Sequence, residues 1–265
     1  MLALIAGTGG LPGELVRHLD ARPIICALEQ FPPEDLAVDM PFRLETFGTL
    51  LAALRERGVS EICMAGAIRR PDIDPSLIDS ATVPLVPILQ KALLAGDDGA
   101  LRGVIGILEQ AGIRVRAAHH LAPDLLPPAG CRTTRQPDDR ARADVRRAVE
   151  VVSAMSAADI GQACAVKAGQ ALAIESIYGT DWMLATLAQR PDPGQGGVFY
   201  KAPKSDQDLR VDLPTIGLGT IRAAAEAGLD GLAIAAGGVI ILDEAAVIAE
   251  CDRLGLFLWV CERDG

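Results

Sequence analysis

The sequence predicts an α/β fold in two parts: a Rossmann-like parallel-sheet domain over residues 1–124, a linker over 125–137, and an α+β domain with a mixed sheet over 138–265. Three observations predict it. Strand and helix signals alternate through the first half with short Gly-bounded turns, the pattern of a parallel sheet. Between residues 122 and 139 the apolar period gives way to prolines, arginines and threonines, which reads as an interdomain connection. Beyond it, short strands come in neighbouring pairs between helices, as in a mixed sheet.

In order, Leu2-Ala3-Leu4-Ile5-Ala6 reads as a buried strand, 11–19 as a helix and 23–28 as a second strand. A helix at 49–57, a strand at 61–65, helices at 85–94 and 101–110 and a strand at 113–117 extend this β-α-β opening. The second domain reads as a helix at 139–154, paired strands at 163–168 and 171–175, a helix from Asp181, and strands at 197–201 and 209–213. A helix, a hairpin turning at Gly237-Gly238, a helix at 243–254 and a strand at 256–260 end it.

Composition narrows the function. Half of the residues are hydrophobic and only 3% aromatic, so Ala, Val, Leu and Ile must fill the core. A net charge of −10 argues against a nucleic-acid partner, because phosphate backbones are held by basic surfaces. Arginines at 132, 135, 140, 142, 146 and 147 outnumber the aspartates at 138, 139 and 144; they read as a solvated helix face or as a patch for an anionic ligand or lipid surface. The six cysteines show no C-x-x-C spacing and are expected to be reduced and buried. The opening residues read as neither a signal peptide nor a membrane span, so a cytoplasmic location is expected.

Several motifs carry chemistry. Gly7-Thr8-Gly9-Gly10-Leu11-Pro12-Gly13 links a strand to a helix, where backbone N–H groups hold phosphate oxygens. Pro12 stands where the dinucleotide fingerprint needs its third glycine, although Glu29 sits where a ribose-binding acid belongs. Gly66, with Arg69 and Arg70 after it, closes a strand at the expected ligand edge of the sheet. Asp97 and Asp98, between two helix signals, suit an N-cap, with a metal or sugar-hydroxyl role open for one of them. His119 and His120 follow a strand, so at most one faces a cleft. Thr180 and Asp181 open a helix after Glu175, where capping competes with ligand contact.

The richest run is 201–217. Read as extended, it points Leu209, Val211 and Leu213 one way and Asp208, Arg210 and Asp212 the other, with Lys201, Lys204 and Asp206 just before. A solvated strand face has the same pattern. Lysines can neutralise phosphate oxygens while a carboxylate binds Mg²⁺ or orients water.

These motifs together resemble the LpxI-type UDP-2,3-diacylglucosamine pyrophosphatases of lipid A synthesis. The likeness spans essentially the whole chain: Leu4-Ile5-Ala6-Gly7-Thr8-Gly9-Gly10-Leu11-Pro12, Ala65-Gly66 with Arg70-Pro71-Asp72, Gly96-Asp97-Asp98, Asp159-Ile160-Gly161-Gln162, Gly179-Thr180-Asp181 with Met183, and Lys201 through Gly217. The resemblance implies hydrolysis of UDP-2,3-diacylglucosamine to UMP and 2,3-diacylglucosamine 1-phosphate (lipid X) with Mg²⁺ or Mn²⁺, water attacking the sugar-bearing phosphorus. It implies Asp212 as the catalytic carboxylate and candidate metal ligand, and Gly9, Gly10, Gly66, Asp97, Thr180 and Lys201 as substrate contacts. Asp98, His119, Asp181, Lys204, Asp208 and Arg210 are supporting candidates. Tyr178, the pair Ala185-Thr186 and Ser205 depart from the family pattern, which has Glu, two arginines and proline there. The resemblance implies substrate and lipid X as partners, with peripheral contact at the inner membrane and a homodimer left open. An NAD(P)-dependent oxidoreductase and a non-catalytic UDP-sugar sensor are the alternative functions.

Overall fold

The computed structural model describes residues 1–69, 71–94, 96–191, 196–205 and 207–262, and of Leu93, Gly96, Asp97 and Asp98 the backbone alone. Arg70, Asp206 and the side chains of Asp97 and Asp98, all singled out by sequence, lie outside the described residues. The chain divides into two units, one formed by Met1–Pro123 with Asp208–Asp212, the other by Asp124–Gln207 with Leu213–Gly265.

The first unit holds β1 (Leu2–Ala6), β2 (Ile24–Leu28), β3 (Met40–Phe42), β4 (Glu61–Ala65) and β5 (Arg114–Arg116), in the order β3-β2-β1-β4-β5. All neighbours run parallel. In β1, β2 and β4 the last four residues are buried in succession, as expected of strands covered on both faces. The edge strand β3 was not anticipated. Its middle residue is Pro41, which cannot donate to a ladder and is tolerated at an edge. Helices α1 (Leu11–Arg17), α2 (Phe47–Glu56), α3 (Val86–Leu94), α4 (Gly96–Gln110) and α5 (Ala118–Leu121) follow in turn. Helix α2 buries Phe47, Leu50, Leu51 and Leu54, the i, i+3, i+4, i+7 stripe of an amphipathic helix. Leu54 has no exposed surface, and burial of such a side chain contributes about 1.5–3 kcal/mol. Helix α4 starts at Gly96 rather than at 101, so Asp97 and Asp98 belong to its first turn and not to an interhelical loop. His119 and His120 lie on α5, not on a strand end.

The second unit contains β6 (Gly130–Cys131), α6 (Asp139–Ala157), β7 (Ala163–Lys167), β8 (Gln170–Ile174), α7 (Gly179–Leu187), β9 (Val198–Lys201), β10 (Thr215–Ile216), α8 (Leu218–Glu226), β11 (Gly231–Ala235), β12 (Ile240–Ile241), α9 (Glu244–Leu254) and β13 (Phe257–Cys261). Its main sheet has the order β6-β13-β11-β9-β7-β8, parallel through β13-β11-β9 and antiparallel elsewhere. Alternation builds two cores. Ala163, Ala165, Phe199, Leu232, Ile234, Leu258 and Val260 face the cluster under α7, α8 and α9. Cys164, Val166, Val198, Tyr200, Ala233 and Ala235 face Val145, Ala148 and Val152 of α6 on the opposite side. Asp138 caps α6 by accepting the Ala141 amide at 2.8 Å.

The expected hairpin at Gly237-Gly238 does not form. β11 is taken by its parallel neighbours β9 and β13, and β12 pairs in parallel with β10. The expected strand at 209–213 is a turn, in which the Asp208 carbonyl accepts the amides of Val211 and Asp212, each at 3.1 Å. Within 125–137, β6 pairs with β13 and Thr133 Oγ1 accepts the Leu258 amide at 2.9 Å. The cysteines are free; five are buried, and Cys131 is half-buried rather than fully enclosed.

Candidate active site

The glycine turn after β1 is interlocked with the turn after β4. Thr8 and Ala67 exchange both backbone hydrogen bonds, at 3.0 and 2.9 Å, and the Gly7 amide donates to Ala65 at 2.8 Å. Gly66 has φ +92, and a Cβ there would meet Gly7, Thr8 and Pro12 at 2.8 Å, so no other residue allows this approach. Two of the amides that the sequence offers to phosphate are thus committed within the protein. Gly9 and Gly10 remain exposed.

Beside this turn the first unit has an open cavity of about 380 Å³ at the carboxyl ends of its strands, the edge at which open α/β sheets bind ligands. Ile5, Leu28, Phe42 and Met64 come from strand ends, Leu101 and Val104 from α4, and Gly66 from the turn. Val211 and Asp212 complete the lining. Asp212 is therefore a carboxylate beside an apolar wall, and it is exposed.

The turn bearing Asp212 is fastened by Arg210. Its guanidinium donates to Asp208 Oδ1 at 3.0 Å and Oδ2 at 2.7 Å, and to Glu109 Oε1, at the end of α4, at 2.7 Å. These bonds from Arg210 hold the Asp208 carboxyl below the usual carboxylate range, and Asp208 in turn raises the guanidinium pKa. The row of three charges read as one strand face is thus a clamp of two, Asp208 and Arg210, beside the separately placed Asp212.

In the second unit Lys201 ends β9 with only 7% of its surface exposed. Its Nζ donates to Thr180 Oγ1 at 2.8 Å and to the Thr215 carbonyl at 3.2 Å. The Thr180 hydroxyl donates to Glu175 Oε2 at 2.6 Å. Sequence reasoning noted Glu175 only as a strand end; the signal that could have found it is an acid five residues before a helix-opening threonine.

The remaining candidates scatter. Lys204 pairs with Asp159 at 2.6 Å at the surface, and Asp181 is exposed in the first turn of α7. His119 Nδ1 is buried without a hydrogen-bond partner among the described residues, and burial, followed by His120, holds its pKa below the usual imidazole value. Glu29 lies 3.8 Å from Arg43, itself bonded to the buried Glu45 at 3.0 Å. Of the departures, Ser205 is explained: its amide donates to Ser156 Oγ at 2.8 Å, a bond that proline could not make. Tyr178 is exposed and packs on Trp182 with ring centroids 5.1 Å apart. Nothing in the structure explains Ala185-Thr186. Among the described residues no three His, Cys, Asp or Glu side chains converge as a metal site, and no helix is long and apolar enough to cross a membrane.

A parallel sheet with a cavity at its strand ends and a mixed sheet carrying a buried, hydrogen-bonded lysine define a two-unit α/β protein. Residues 1–125 match the sequence model of the LpxI N-terminal domain and residues 128–259 that of the LpxI C-terminal domain. The chain belongs to the LpxI family. It is 37% identical to the UDP-2,3-diacylglucosamine pyrophosphatase LpxI of Caulobacter vibrioides, over 97% of this chain and 96% of the relative.

Proposed function

We propose that the chain hydrolyses the diphosphate of UDP-2,3-diacylglucosamine to UMP and 2,3-diacylglucosamine 1-phosphate, a step of lipid A synthesis. The observation that carries this reading is Asp212 beside the apolar cavity in a chain of this family. A diphosphate needs polar groups, whereas a fatty acyl chain needs an apolar wall; this lining offers a carboxylate next to aliphatic side chains.

In this reading water attacks the phosphorus that bears the sugar, the bond from that phosphorus to the bridging oxygen breaks, and UMP leaves. Asp212 is the essential carboxylate at the reacting diphosphate. Lys201 and Thr180 contact the substrate in the second unit, and the Lys201 ammonium stabilises charge that develops on phosphate oxygens. Gly9, Gly10 and Gly66 contribute backbone on the first unit, with Asp97 as a further contact. Mg²⁺ or Mn²⁺ fits the donor set, because Mg²⁺ is commonly held by one or two carboxylates together with substrate phosphates rather than by an all-protein cage. Asp212 would be its protein ligand, and the ion would neutralise charge on the phosphate oxygens. A diacyl substrate would bring the chain into peripheral contact with the inner membrane.

Incubation with UDP-2,3-diacylglucosamine and Mg²⁺ or Mn²⁺ tests the proposal: UMP and the sugar phosphate appear together. Tight UDP-sugar binding with no release of UMP under either metal would refute it in favour of a sensor.

A further inference from the structure

Glu175 is a carboxylate that the proposed reaction does not use, yet only 7% of it is exposed. A buried carboxylate is costly unless it is hydrogen-bonded, and here the local chain is arranged around it. Its amide donates to the Ala163 carbonyl at 2.8 Å, and Ala163 pairs with Lys201 across β7 and β9. Gly161 packs so closely that a Cβ there would overlap the Glu175 carbonyl.

The hydrogen bonds have a direction. Thr180 has one hydroxyl proton, and it is committed to Glu175 Oε2 at 2.6 Å. Only the oxygen lone pairs then face the Lys201 ammonium, which donates to them at 2.8 Å. With the Thr215 carbonyl as second acceptor at 3.2 Å, the head of a flexible lysine is fixed in one place.

We propose that Glu175 is a positioning residue for the diphosphate reaction: it fixes the Thr180 hydroxyl so that Thr180 can only accept from Lys201, and thereby sets where the ammonium stands. The proposal rests on the reading that Lys201 contacts the diphosphate. Glu175 itself touches no substrate. Preorganised charge is effective because it does not have to reorganise during the reaction, and loss of orientation costs rate more than binding.

The test uses near-isosteric variants of the full chain, checked by thermal melting. In Glu175→Gln the amide offers both a donor and an acceptor, so the hydroxyl loses its fixed direction. kcat is expected to fall about tenfold or more, with KM within about threefold of the parent. Thr180→Val should show a comparable loss of kcat, and the double variant should be no worse than Thr180→Val alone. A parental kcat in Glu175→Gln, or losses that multiply in the double variant, would overturn the proposal. Lys201→Met separates the two layers of the argument: full activity in that variant removes the underlying reading, whereas an inactive Lys201→Met beside a fully active Glu175→Gln removes only the role of Glu175.

Discussion

The two ends of the run 201–217 are prepared in opposite ways. Lys201 is buried at the end of a central strand, with its ammonium bonded to a hydroxyl and a carbonyl. Asp212 is exposed on a short turn packed with the first unit, and the fastening of that turn is a surface guanidinium clamp. The cation is thus part of a core, and the carboxylate is carried by a short turn that packs Val211 against the first unit's core and is clamped at its surface. Changes near Lys201 should therefore act through orientation, and changes near Asp212 through whether the turn stays in place.

The strongest way to sharpen the contrast is Asp212→Ala, which should reduce UMP release by about a thousandfold or more, the scale expected for a group essential in the transition state. Calorimetry should still detect substrate binding; an active variant would remove Asp212 from its role. Next comes the wall behind it. Val104→Trp should narrow the cavity and raise KM for a long-chain substrate about tenfold, since each methylene left unburied forfeits ~0.8 kcal/mol. Activity on a short-chain analogue should hardly change, and equal losses on both would mean that no acyl chain enters.

Arg210→Ala should have a smaller effect, lowering kcat several-fold while the melting temperature hardly moves, because exposed ion pairs contribute ~0.2–1 kcal/mol. Unchanged kinetics would show that the turn holds without its clamp. The smallest effect concerns pH. The folded pKa of Asp208 is depressed, mainly by its hydrogen bonds from Arg210. Its contribution is therefore present above the unfolded carboxylate value of ~3.9 and is lost as pH falls through the lower folded value. Melting curves in mildly and strongly acidic buffer should show Asp208→Asn losing less stability on acidification than the parent chain.

The parallel sheet was legible because β1, β2 and β4 are near-continuous apolar runs, which physics reserves for strands buried on both faces. The turn at 208–212 was not. Leu209, Val211 and Leu213 alternate as a half-buried strand would, but the amides of Val211 and Asp212 close onto the Asp208 carbonyl, and Arg210 ties Asp208 to Glu109, about a hundred positions away. The Gly237-Gly238 signal misled for a similar reason, since two glycines announce a turn but not the partner of the strand that follows. Lys201 and Thr180 could be named from motifs. Their bond to each other, and the place of Glu175 behind it, exist only in the folded chain, because β7 brings together residues that the sequence holds apart.

The paired backbone hydrogen bonds between Thr8 and Ala67 set a rule for redesign. Neither turn can be transplanted alone: a glycine loop borrowed from another nucleotide-binding protein would arrive without its mate, and a side chain at position 66 would force the first turn out of register. Directed evolution of substrate range in this region should therefore yield linked substitutions in the two turns or none, and Gly9, at φ +87, adds a third position that resists change.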